Sequence, residues 1–118
     1  MLENKFFLLL QRLHQKTADG TLGWEPGSAQ GTFIATLGEF VVGIQAKPDP
    51  EYPDDPDIFI RVYNSEGTTI EEFSNATFRG VETGEVNAYA MMKELSTRAR
   101  RSAYGVEQAI DILLEHLE

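Results

Sequence analysis

Apolar residues in the first part of the chain recur at intervals of three and four. Leu2, Phe6, Leu9, Leu10 and Leu13 fall on one stripe, while Asn4, Gln11, Arg12, Gln15 and Lys16 fall mostly opposite. The spacing predicts an amphipathic helix over 2–17, widened by Phe7 and Leu8 and stopped at Asp19-Gly20, where glycine accepts a left-handed backbone. Residues 20–32 are Gly-rich and read as irregular, with Trp24 expected as a lid over one edge of the core. From Thr32 the period changes to two. Phe33, Ala35 and Leu37 alternate with Ile34 and Thr36; Phe40, Val42, Ile44 and Ala46 alternate with Val41, Gly43, Gln45 and Lys47.

Gly38-Glu39 separates these two strands, and placing Leu37 opposite Phe40 brings both apolar sets to one face. A third strand over 57–64 alternates Ile58, Ile60 and Val62 with Phe59, Arg61 and Tyr63. Ser65-Glu66-Gly67 turns the chain into a fourth over 68–74, where the mismatched parity of Ile70 and Phe73 predicts a bulge. Residues 48–56 hold four of the five prolines and read as loop, as do 75–85. Helical spacing then returns at Ala88, Met92, Leu95, Ala99, Ala103, Val106, Ile110, Leu113 and Leu117. An unbroken helix of that length would run about 45 Å, too long for a small sheet, so a break is expected at Gly105. The expected fold is a single α+β domain spanning 1–118. An N-terminal helix, a four-stranded antiparallel meander and one or two C-terminal helices form a two-layer sandwich, with the helices on one sheet face.

Composition narrows the function. The net charge of −9 argues against a nucleic-acid partner, which calls for surplus Lys and Arg, and against an anionic membrane surface. No apolar run exceeds five residues, which is short of a membrane span or a secretory signal, so a cytoplasmic location is expected. There is no cysteine, which excludes disulfides, thiolate metal sites and cysteine nucleophiles. The charge is local: residues 49–85 carry ten acids and two bases, whereas the flanking segments are near neutral.

Few residues invite chemistry. His14 and His116 sit among polar helix neighbours and read as solvent-facing; a shared metal with Glu115 would need their two helices to meet. Asp49, Glu51, Asp54, Asp55 and Asp57 form a dense acidic loop, but it lacks the central glycine of a calcium loop. It reads as solvated, with Asp54, Asp55 and Asp57 a candidate docking segment for a basic protein. The glycines of 20–31 follow a helix and have no Lys among them, unlike a phosphate loop. Among Arg98, Arg100 and Arg101, Arg98 is placed to pair with Glu94 four residues earlier. No catalytic residue, metal site or cofactor is assigned, and a non-enzymatic role is preferred.

The outward face of the sheet is the more informative feature. Ile34, Val41, Phe59 and Tyr63 make it more apolar than a solvated face normally is. Either the chain's own Trp24 segment or C-terminal helix covers it, or it is an interface, with homodimerisation the first expectation. The alternative is a small-molecule-binding domain or small enzyme whose pocket at the sheet edge uses Trp24, Arg61 and Tyr63.

The order of motifs supports two resemblances. Leu22-Gly23-Trp24, Arg61-Val62-Tyr63-Asn64-Ser65-Glu66-Gly67 and Arg98-Ala99-Arg100-Arg101 resemble a group of small uncharacterised bacterial α+β proteins, over nearly the whole chain. That group implies a helix, a Leu-x-Trp turn, paired hairpins and an Ala-Arg-Arg helix, and no activity. In size, acidity, lack of cysteine and element types the chain is also similar to type III secretion chaperones, which implies a cytosolic dimer that binds other proteins.

Overall fold

In a computed structural model, the structure describes residues 2–78 and 87–118. Helix α1 (Leu2–Ala18) leads into β1 (Glu25–Pro26), β2 (Thr32–Leu37), β3 (Phe40–Lys47), β4 (Asp57–Tyr63) and β5 (Thr69–Ser74). A 3-10 turn (Asn75–Phe78), α2 (Ala88–Ala103) and α3 (Val106–His116) follow. The expected α+β meander is present: the strands lie in the order β1-β2-β3-β4-β5, every neighbour antiparallel. It has five strands rather than four, because Glu25 and Pro26 pair with Ile34 and Phe33 inside the segment read as irregular. The loop expected over 75–85 begins instead with the 3-10 turn, and 79–86 lie outside the described residues.

Strand parity sets the register. Leu37 pairs with Phe40 and Phe33 with Ile44, and β4 continues the row with Ile60 opposite Ile44 and Phe73 opposite Ile60. The expected irregularity of β5 is a register shift at Val62/Tyr63, which leaves Ile70 exposed. Asn64 holds the turn beneath it, its side-chain oxygen accepting from the Glu66 and Thr68 amides at 3.0 Å each.

The core lies between the inner sheet face and the first two helices. Leu10, Ile44, Ile58, Ile60, Met92 and Leu95 are wholly or almost wholly removed from solvent. Phe6 stacks on Phe73 at 4.7 Å, and Phe78 meets Phe7 and Phe73 edge-on. Trp24 is a core residue at 4% exposure rather than a lid. Its indole Nε1 donates to Thr17 Oγ1 at 2.9 Å, and its backbone N–H donates to Ser102 Oγ at 3.1 Å. One residue thereby ties the end of α1, the sheet edge and the end of α2 together.

The helical stretch breaks where expected. Asn87 caps α2 by accepting from the Ala90 amide at 3.1 Å. The helix ends at Ala103, and Gly105 turns the chain with φ +60°, a conformation costly for any residue with a Cβ. Beyond this hinge α3 contacts α2 near the junction, none of its residues is buried, and from Glu107 onward all are exposed.

Candidate functional site

The outer face of the sheet gathers several of the expected residues. Ile34, Val41, Phe59 and Tyr63 are all half-buried, and neither Trp24 nor α3 lies over them. The face covers itself in part. The Tyr63 ring lies across Gly43, where an added Cβ would come within 3.1 Å of the ring, so the position suits glycine. Arg61 reaches across three strands, its Nε donating to Glu72 Oε2 at 2.6 Å and its Nη1 to Gln45 Oε1 at 3.0 Å. The Glu72 carboxylate holds the Arg61 proton more tightly than usual. Lys47 Nζ and the Arg61 guanidinium stand 4.8 and 5.9 Å from the Phe59 ring centre. Beside them, Ile34, Val41 and Tyr63 line a hollow of about 530 Å³ walled by Gly27, Ser28 and Asn64.

Trp24, Arg61 and Tyr63 are not brought into one cavity. Trp24 belongs to the inner core, whereas Arg61 and Tyr63 stand on the outer face. The acidic segments do not form one surface either. In a meander successive connections alternate ends, so the loop carrying Asp54, Asp55 and Asp57 lies about 20 Å along β4 from the Glu66 turn. The loop is fastened to α2. Lys93 Nζ lies 3.7 Å from Asp55 Oδ1 and donates to the Asp54 carbonyl at 3.2 Å. Tyr89 donates to the Pro56 carbonyl at 2.6 Å, and burial, then the charges of Asp55 and Asp57, push its hydroxyl pKa up. Asp54, Asp55 and Asp57 remain exposed.

The two histidines are separated: His116 ends α3, and His14 is half-buried against α2 rather than solvent-facing. His14 Nε2 approaches Glu94 Oε2 at 3.1 Å without the alignment of a good hydrogen bond. Arg98 Nε donates to the other Glu94 oxygen at 2.9 Å, the pairing expected from the spacing. The Arg98 hydrogen bond first, and His14 second, hold the Glu94 carboxyl below its ordinary pKa. A carboxyl with a depressed folded-state pKa adds stability above its unfolded pKa and loses it as pH falls through the folded value. Glu94→Gln is therefore expected to lower the urea midpoint slightly at neutral pH, the pair being exposed. The two midpoints should converge once the solution is acid enough to protonate Glu94. An offset that persisted in acid would assign the effect to packing instead. Among the described residues no group of three or more His, Asp or Glu is arranged to hold a metal ion.

Ile110, Leu113 and Leu117 continue the helical spacing read from the sequence, and the structure places them in solvent. Leu113 and Leu114 are 55% and 57% exposed, and Leu117 is 80% exposed. A second apolar feature lies on α1, where Leu9, Leu13, Leu22 and Leu37 line a groove of about 380 Å³ with Arg12 and Lys16 at its rim. Leu37 is itself exposed, as is its register partner Phe40.

The fold and these surfaces define an α+β protein in which, among the described residues, no helix is long and apolar enough to cross a membrane. Comparison with family models, curated proteins and solved structures finds no match, so of the two resemblances the α+β architecture is what stands.

Proposed function

We propose that this chain is a non-enzymatic, chaperone-like protein-interaction module of the cytoplasm that self-associates. The observation that carries the reading is α3. An amphipathic helix is stable when its apolar stripe is covered, and Ile110, Leu113, Leu114 and Leu117 form such a stripe with nothing among the described residues over it. The apolar outer face, with Ile34, Val41, Phe59 and Tyr63, offers a second contact surface. A basic protein meeting Asp54, Asp55 and Asp57 is a further partner of the same reading.

Light scattering coupled to size-exclusion chromatography tests it. The expected result is a mass rising toward twice the monomer as concentration increases through the micromolar range. A monomer at every concentration would overturn self-association.

The outer-face hollow favours a second reading, a small-molecule site, because its size suits a ligand and its lining mixes apolar side chains with the polar groups of Asn64 and Ser65. The two readings part on one substitution: Val41→Glu would abolish ligand capture under the second, whereas under the first the α3 contact still holds the dimer, weakened at most by loss of the outer face.

A further inference from the structure

We infer that α3 of one copy seats its apolar stripe in the α1 groove of a second copy, and that the exchange is reciprocal. The inference rests on the self-association proposed above and names the surfaces that meet. Both are unfilled on the same chain: the Ile110, Leu113, Leu114 and Leu117 stripe, and the groove over Leu9, Leu13, Leu22 and Leu37.

Charge matches them. Residues 102–118 carry four acids, Glu107, Asp111, Glu115 and Glu118, and no Lys or Arg. At about 100° per residue Glu107, Asp111 and Glu115 fall along one flank of the apolar stripe, and Glu118 follows two residues past the end of α3. On α1, Lys5, Arg12 and Lys16 fall along one flank of Leu9 and Leu13 in the same way. The basic rail, Lys5 to Lys16, spans eleven residue steps, about 16 Å, and the helical part of the acidic one, Glu107 to Glu115, spans eight, about 12 Å, at ~1.5 Å per step. Among the described residues Arg12 and Lys16 make no ion pair. Glu107 and Asp111 share a cleft with Arg98 and Arg101 of their own chain without pairing to them, and Glu115 and Glu118 lie beyond it.

The alternatives fit less well. Pairing α3 with its own copy would set two acidic helices side by side, and one crossing of two 11-residue helices covers little of the roughly 1,200–2,000 Å² that stable interfaces bury. The reciprocal contact doubles that area. Within one chain the stripe stays out of the groove: the start of α3 lies along the neighbouring cleft, where Glu107 and Asp111 face the end of α1, and its apolar residues remain exposed.

A charge swap in the full chain tests the inference. Arg12→Glu with Lys16→Glu makes one variant, and Glu115→Lys with Glu118→Lys makes the other. All four positions are exposed, so folding should be kept, as a thermal melt would verify. Each variant alone is expected to raise the dimer Kd on the order of tenfold or more, and the wild-type dimer should weaken with salt. Mixing the two variants should restore a heterodimer by sedimentation equilibrium. A dimer indifferent to both variants but lost in Phe59→Glu would overturn this contact while leaving self-association standing. A wild-type chain that stays monomeric would overturn both.

Discussion

Trp24→Ala is expected to cost about 3–5 kcal/mol of unfolding free energy, the range for emptying a buried aromatic site. A domain of this kind holds roughly 5–15 kcal/mol in all, so the variant should be partly unfolded under mild conditions. Three losses coincide at this position. The indole is 4% exposed and packs in the central core. Its Nε1–H bond to Thr17 Oγ1, 2.9 Å long, is buried, so removing the ring also strips a partner from a hydroxyl cut off from water. The backbone N–H of the same residue is held by Ser102 Oγ at 3.1 Å, and the cavity would loosen that link between the sheet edge and α2. Trp24→Phe separates the terms. It keeps much of the volume and none of the hydrogen bond, and should cost about 1–3 kcal/mol. Urea unfolding followed by far-UV circular dichroism measures both, since the substitution removes the chain's single tryptophan as a fluorescence probe. A loss below about 1 kcal/mol in Trp24→Ala would show that the three elements are tied elsewhere.

The parts of the fold legible in the sequence are those fixed by period. The alternation through Phe33, Val42, Ile44, Ile58 and Ile60 determines which face is inner, and the short Gly38-Glu39 turn then leaves one register, with Leu37 opposite Phe40. The Gly105 break was legible because glycine there coincides with a helix too long for its sheet. Strand β1 was not. Glu25 and Pro26 offer no apolar signal, and their pairing follows from Trp24, whose anchoring depends on residues 7 and 78 positions away. His14 was misplaced for a related reason: its exposure is decided by where α2 lies, a tertiary fact absent from the pattern of α1.

The candidate site divides along the same line. Parity was enough to group Ile34, Val41, Phe59 and Tyr63 on the outer face, and it would also have separated Arg61 and Tyr63 from a tryptophan in the core. The exposure of α3 lay beyond it. An apolar stripe states that something covers it, and cannot state whether the cover comes from the same chain. Ile110, Leu113 and Leu117 continue the phase of Met92 and Leu95 without interruption, yet α2 already occupies the sheet and Gly105 carries the next turns past its edge.

Glutamate at two adjacent positions of β4 should give opposite outcomes. Ile60 has no exposed surface and lies between Ile44 and Phe73 in register, both buried. A carboxylate there would lose its hydration with no cation in reach of the pairing row, a cost of several kcal/mol, added to about 2–5 kcal/mol for the lost apolar contacts. Ile60→Glu is therefore expected to abolish the cooperative unfolding transition at neutral pH. Phe59 faces the other way, with Lys47 Nζ 4.8 Å and the Arg61 guanidinium 5.9 Å from its ring. Phe59→Glu exchanges a cation–π contact for a carboxylate near the same two cations, and the fold should survive with a loss on the order of 1–2 kcal/mol. Circular dichroism and urea melts of both variants decide the matter. If Phe59→Glu unfolded as Ile60→Glu does, the outer face would be interior, covered by a partner the domain requires in order to fold. If it folded, the surviving domain would reveal by its dimer Kd whether that face contributes to association. An unchanged Kd places the contact away from this face, as the exposed stripe of Ile110, Leu113, Leu114 and Leu117 beyond Gly105 would have it.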